Sequence, residues 1–216
     1  MIALERALSL LDNAARPLET ETVSLFNALG RFLASPLATP SDIPPFAKSA
    51  MDGFAVRAAD LSSPGTVLTV IETVAAGSVP SRTVEPGTAV QIMTGAPIPE
   101  GADAVIRVEF AEQTEDGVRF HTDEPSYNII ARGENARAGD ELLQPRRLRP
   151  HDVGVAASAG ADMLEVYRIP SLGILSTGDE LREPGEPAGA GAIYNSNAYQ
   201  LAAQARAAGF EPHYYG

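Results

Sequence analysis

The chain has 216 residues, a formal net charge of −12 and no cysteine. That length suffices for one large domain or two modest ones. The charge argues against a nucleic-acid-binding surface, which needs a clustered basic face, and the missing thiols exclude disulfides, thiolate zinc sites and Cys nucleophiles.

The start, MIALERALSLLDNA, carries acids early and does not read as a signal peptide. No apolar run approaches membrane length. The expectation is a cytoplasmic protein without a membrane partner. Leu4, Ala7, Leu8 and Leu11 recur at helical spacing and predict a helix over 3–14. Leu29 and Leu33 predict a second short helix over 27–34, which Gly30 weakens by about 1 kcal/mol relative to Ala. Pro36, Pro40, Pro44 and Pro45 then stiffen an extended connection, a natural place for a domain crossing.

From Phe54 to about His121 the pattern is all β. Val67–Ile71, Ala89–Ile92, Ala104–Val108 and Val118–Phe120 are short β runs, and Glu115-Asp116-Gly117 is a hairpin turn. Short strands this close together predict a small barrel or sandwich. Arg132–Glu141, RGENARAGDE, is polar and glycine-punctuated. A short helix starting near Pro150 and a strand Met163–Tyr167 follow, and these are expected to pack with the N-terminal helices around an inserted β domain. Ser171–Ser176 reads as a buried strand, Asn195-Ser196-Asn197 as a helix N-cap, Ala198–Ala208 as a helix stopped by Gly209, and Phe210–Tyr215 as the next strand. One such unit cannot build a parallel sheet, so the last domain is expected to be incomplete at Gly216.

The fold expected is therefore mixed α and β and multidomain. Residues 1–38 with 141–168 form a discontinuous elongated domain, and 39–140 an inserted β domain. Residues 169–216 are the first βα unit of an incomplete α/β domain.

Four stretches carry candidate chemistry. Asp52-Gly53, at a loop-to-strand junction, offers a carboxylate to a hard cation or a ligand hydroxyl; the same pair also makes a plain Asp-Gly turn. In VQIMTGAPIPEGADAV, Thr94 can donate to an oxyanion with the N–H groups of Gly95 and Ala96, or simply end a strand. Ser176-Thr177-Gly178-Asp179-Glu180 ends a strand where open α/β sheets bind ligands, yet a loop of solvated acids has the same composition. In Gly133–Arg137, Arg137 can clamp an anion or sit in a solvated turn. His121, His151 and His213 are scattered and form no zinc-like pair, and Tyr194, Tyr199, Tyr214 and Tyr215 read as packing residues.

The order of SDIPPFAKSAMDGFAVR, VQIMTGAPIPEGADAVI, RGENARAGDE and LGILSTGDEL resembles the MoeA-type molybdenum insertases, a family that includes the C-terminal part of gephyrin. The resemblance implies insertion of molybdate-derived molybdenum into adenylylated molybdopterin with release of AMP, assisted by Mg²⁺ or another divalent cation. It implies Asp52, Thr94 and Glu180 as catalytic residues, with Asp52 also at the metal. It implies Ser49, Arg137, Ser176, Thr177, Gly178 and Asp179 as cofactor-binding residues. It further implies a homodimer whose cleft lies between the α/β domain of one subunit and the inserted β domain of the other, with a molybdopterin adenylyltransferase as pathway partner. A non-catalytic dimerisation or scaffold module on the same domains is the alternative, because the α/β domain is incomplete.

Overall fold

The structure is a computed structural model that describes residues 2–61, 63–121 and 127–216. Its contacts divide the chain into two compact units. One comprises Met1–Pro36, Leu143–Ala157 and Ala161–Gly216; the other comprises Leu37–Leu142 and Ser158–Gly160.

The Leu37–Leu142 unit is built on a six-stranded sheet. From edge to edge its strands are Ala104–Arg107, Gly53–Val56, Thr88–Ile92, Val67–Val74, Gly117–Phe120 and Ala111–Thr114. All neighbours are antiparallel except Val67–Val74 with Thr88–Ile92, which run parallel with a register shift between Val70 and Glu72. The two edge strands are joined by one 3-10 turn, Val108–Phe110, so the sheet curls instead of lying open. The expected barrel or sandwich is thus a single curled sheet. Period-2 alternation explains its two buried faces. Phe54, Val56, Leu68, Ala104, Ile106, Val118 and Phe120 share one cluster. Ala55, Val74, Val90, Ile92 and Val105 share the other. Phe54 meets Phe120 edge-on at 5.9 Å between ring centroids, the arrangement the ring quadrupoles favour. Glu115 and Asp116 make the predicted tight turn between Ala111–Thr114 and Gly117–Phe120.

Gly53 is fixed by its neighbour strand. A Cβ there would stand 1.9 Å from the main-chain oxygen of Ile106.

In the other unit the helix Leu4–Ala14 forms as its spacing predicts, and none of its residues is buried. Strand Thr20–Ser24 pairs antiparallel with Met163–Tyr167, joining segments far apart in sequence. The helix expected over 27–34 is absent. Gly30 takes φ +78, and the N–H groups that a helix would use internally go elsewhere. Gly30 donates to the Leu148 carbonyl, Leu33 to Arg146 and Ala34 to Glu165. Leu33 is buried while Leu29 is exposed, so the four-residue spacing marks no common face. Helix Pro150–Ser158 starts with proline, whose missing N–H is harmless there. The buried Asp152 accepts the Arg149 N–H at 2.8 Å, half of a capping box.

Strands Leu172–Ile174 and Pro212–Tyr214 are parallel and flank helix Ser196–Ala207, a βαβ unit. Asn195 caps the helix by accepting the Ala198 N–H at 3.3 Å, and Gly209 leaves it at φ +90. The loop before the helix carries its own short parallel pairing, Leu181–Arg182 with Ile193–Tyr194. No helix among the described residues is long and apolar enough to cross a membrane.

Two glycine substitutions have opposite expected signs. Gly53→Ala forces Ile106 aside and costs about 3 kcal/mol, the upper end for overpacking. Gly154→Ala lies within helix Pro150–Ser158, meets nothing within 4 Å and gains up to about 1 kcal/mol. Urea denaturation of both variants measures this, and equal stabilities would contradict the packing at Gly53.

Candidate functional site

Two sequence motifs meet at one carboxylate. Strand Lys48–Ser49 leads into the turn at Ser49–Gly53, and strand Thr88–Ile92 leads into the turn at Met93–Ala96. The Ser49 hydroxyl donates to the Met51 carbonyl at 2.5 Å and accepts the Met51 N–H at 3.2 Å, closing a local turn. Ser49 N–H donates to the Ala96 carbonyl at 2.9 Å, and Gly95 N–H to the Ser49 carbonyl at 2.8 Å. These bonds bring the turns side by side. Asp52 then accepts two bonds from Thr94, from its N–H at 2.6 Å and its hydroxyl at 2.7 Å. Both land on Oδ1; Oδ2 accepts no hydrogen bond among the described residues. Both residues are solvent-exposed.

The Thr94 N–H, with the Thr94 hydroxyl second, holds the Asp52 carboxyl below its ordinary value of 3.8. The Thr94 N–H and hydroxyl are engaged on Asp52, while the Gly95 and Ala96 N–H groups donate to Ser49 and Met93 carbonyls. In this structure the turn holds an acid. Ser49 is buried, and its hydroxyl shapes the turn from within.

Arg137 lies in a turn braced by acids. Its N–H donates to Asp140 at 2.7 Å. Asp42 accepts the Ala138 N–H at 2.9 Å and pairs with Arg132; the Ala138 bond first, then Arg132, lowers its pKa. The ion pair of this stretch therefore belongs to Arg132. Among the described residues the Arg137 guanidinium has no hydrogen-bond or ion-pair partner, and it forms no bond to Asp52 or Thr94.

Ser176 to Glu180 fall in the other unit. The Ser176 hydroxyl donates to Asn195 Oδ1 at 3.2 Å, and its N–H to the Gly216 carbonyl at 2.9 Å. Thr177 is exposed. Gly178 has φ +154, and a Cβ there would lie 2.8–2.9 Å from the Glu180 carboxyl atoms, so that side chain folds over the glycine. The Asp179 carbonyl accepts from Arg182 at 3.0 Å. Neither the Asp179 nor the Glu180 carboxylate accepts a hydrogen bond among the described residues.

A cluster not read from the sequence lies beside this loop. Glu183 accepts from the Tyr214 hydroxyl at 2.6 Å, the Tyr199 hydroxyl at 2.8 Å and Asn195 Nδ2 at 3.1 Å. Its partners lie 12 to 31 residues away in sequence, and no local motif links them. The Asn195 cap was the only signal that could have pointed there.

The Asp52 clasp has a titration signature. Since its folded pKa is depressed, its contribution to stability is present above pH 3.8 and is lost as pH falls through the lower folded value. In Thr94→Ala the N–H bond survives and the hydroxyl bond does not, so the Asp52 pKa is expected to return part of the way. Carboxyl ¹³C NMR titration checks both; a wild-type value at or above 3.8 contradicts the clasp.

Residues 2–160 match the family model described as the MoeA N-terminal region, domains I and II. A molybdopterin molybdenumtransferase of Bacillus subtilis (strain 168) is 39% identical over 211 residues, covering 92% of this chain and 48% of the relative. One of Haemophilus influenzae is 39% identical over 205 residues, covering 93% and 50%. The chain thus spans about half the length of these curated relatives. A solved molybdopterin biosynthesis MoeA protein of Pyrococcus horikoshii OT3 superposes with a TM-score of 0.90 at 36% identity, over 100% of this chain and 59% of that one. By its ordered motifs, its curled sheet and these matches, the chain belongs to the MoeA N-terminal region family.

Proposed function

We propose that the chain serves molybdenum cofactor biosynthesis as part of a molybdopterin molybdenumtransferase. The reaction is insertion of molybdate-derived molybdenum into adenylylated molybdopterin, with release of AMP. The observation that carries this reading is the Asp52–Thr94 clasp, which unites the two longest family-like motifs at one exposed carboxylate. The names of the relatives support the same activity.

In this reading Asp52 is the catalytic carboxylate and Thr94 holds it ionised and in one orientation. A fixed, deprotonated acid loses less freedom when it meets its partner than a mobile one does. Arg137, whose guanidinium makes no hydrogen bond among the described residues, supplies a cation for a phosphate, and Glu180 and Asp179 of a second copy of the chain supply further carboxylates from the loop after strand Leu172–Ile174.

For a divalent cation the fit is that of a shared site. Among the described residues no group of three or more His, Asp or Glu side chains could hold a metal ion. Asp52 Oδ2 remains available, and Mg²⁺ is commonly held by one or two carboxylates with waters and substrate phosphates. Asp52 would therefore hold such an ion together with the substrate's own oxygens. When bound, the ion supplies positive charge to the phosphate oxygens.

A homodimer is the proposed assembly. Leu4, Leu8 and Leu11 of helix Leu4–Ala14 are 70%, 51% and 66% exposed, an apolar stripe suited to a second copy of the chain. The same observation favours the scaffold alternative. A molybdopterin adenylyltransferase is the proposed supplier of the nucleotide substrate.

Three measurements test this. Asp52→Ala, in the protein expressed from its complete reading frame, is expected to abolish molybdenum insertion while the fold is retained by circular dichroism. Normal insertion by that variant would refute the role. In size-exclusion chromatography with light scattering, the wild type is expected at dimer mass and Leu8→Glu at monomer mass; a monomeric wild type removes the assembly proposal. A dimer without pterin-nucleotide affinity in ligand titration favours the scaffold reading.

A further inference from the structure

The loop between strand Leu172–Ile174 and helix Ser196–Ala207 is long and rich in glycine and proline, yet it is held at several points. Its own ends are zipped by Ile193 N–H to the Glu180 carbonyl and Asn195 N–H to the Arg182 carbonyl, each at 2.9 Å. Its acid Glu183 reaches three further places. Tyr214 is the last residue of the second parallel strand, Tyr199 lies in the first turns of the helix, and Asn195 is the helix cap. Asn195 Nδ2 also donates to the Tyr214 hydroxyl at 2.7 Å, so the partners brace one another.

Glu183 has no cationic partner among the described residues. Both of its oxygens are taken, Oε1 by Tyr214 and Asn195, Oε2 by Tyr199. It therefore has little capacity left for a ligand. Glu180, three residues earlier, is the opposite case. Its carboxylate accepts no hydrogen bond among the described residues, and the backbone that carries it is held by the Ile193 N–H on the Glu180 carbonyl and, three residues on, by the bonds of Glu183.

We propose that Glu183 is a positioning residue for Glu180, fixing the loop through Tyr214, Tyr199 and Asn195. This rests on the reading above that Glu180 takes part in the reaction. Charge makes glutamate the suitable residue. Three neutral donors on one ionised carboxylate give bonds stronger than neutral pairs would. The Tyr214 bond, then those from Tyr199 and Asn195, keeps the Glu183 carboxyl below its ordinary range, and Glu183 in turn raises both tyrosines. The network thus keeps one protonation state across neutral pH.

The test uses the protein expressed from its complete reading frame, with molybdenum insertion as the readout and the melting temperature as the control. Glu183→Gln replaces an acceptor oxygen with a donor facing donors. It is expected to lower kcat about 10²-fold, the effect of roughly 1 Å of misplacement, with KM and melting temperature little changed. Tyr199→Phe is expected to move kcat the same way by less. A wild-type kcat in Glu183→Gln overturns the proposal, as does a rise in KM without a fall in kcat. If Glu183→Gln fails to fold, Tyr199→Phe/Tyr214→Phe keeps the carboxylate and removes two donors. Reduced kcat in that variant supports the proposal and a wild-type kcat overturns it. Glu180→Gln separates the premise. If it retains kcat, the role of Glu180 falls; if it loses kcat while Glu183→Gln does not, only the positioning role falls.

Discussion

One oxygen atom, Oδ1 of Asp52, joins two turns 42 residues apart by accepting both donors of Thr94. Everything around it serves that junction. Gly53 lets the strand beyond Asp52 lie against Ile106 with no side chain between them. Ser49 binds the second turn through its main chain and shapes the first with its hydroxyl. The Asp52 carbonyl is engaged as well, accepting the Val108 N–H at 3.1 Å, so the residue is tied to the turn that links the two edge strands. The carboxylate is left with one occupied and one open oxygen. An acid so restrained has a defined direction, which a solvated aspartate lacks.

Much of this was legible in the residues. The helix 3–14, the hairpin at Glu115-Asp116, the proline-started helix at 150 and the Asn195 cap follow local rules, because their signals lie within a few residues of one another. The failure at 27–34 has the same origin. Leu29 and Leu33 carry a helical spacing, but Arg146, Leu148 and Glu165 supply backbone partners from far along the chain, and no local pattern announces them. Site chemistry divides the same way. Each motif was visible singly; that Thr94 is turned toward Asp52 depended on pairings across the sheet. Glu183 lay hidden because two of its partners are tyrosines that read as packing, and a hydroxyl at the end of a ring has no signature in spacing.

The two units also differ in how they are held. The curled sheet has two buried apolar clusters, and it joins strands far apart in sequence, Gly53 facing Arg107 and Val67 facing Arg119. The other unit buries Leu33, Leu148, Leu164 and Val166 and adds polar fastening. Asp152 caps a helix from a buried position, and Arg147 donates to the carbonyls of Gly30 and Ala208 at 3.1 and 3.0 Å. The second carbonyl lies at a helix C-terminus, where a cation is favoured by the helix dipole.

The pairing of Thr20–Ser24 with Met163–Tyr167 has a consequence for biosynthesis. The Thr20 hydroxyl donates to the Glu165 carboxylate across 145 residues. At roughly 5–20 residues per second, a ribosome needs about 7–30 s to supply the missing strand. During that interval the first strand waits for its partner while the intervening sheet is being made. The nascent chain therefore carries this strand unpaired for many seconds.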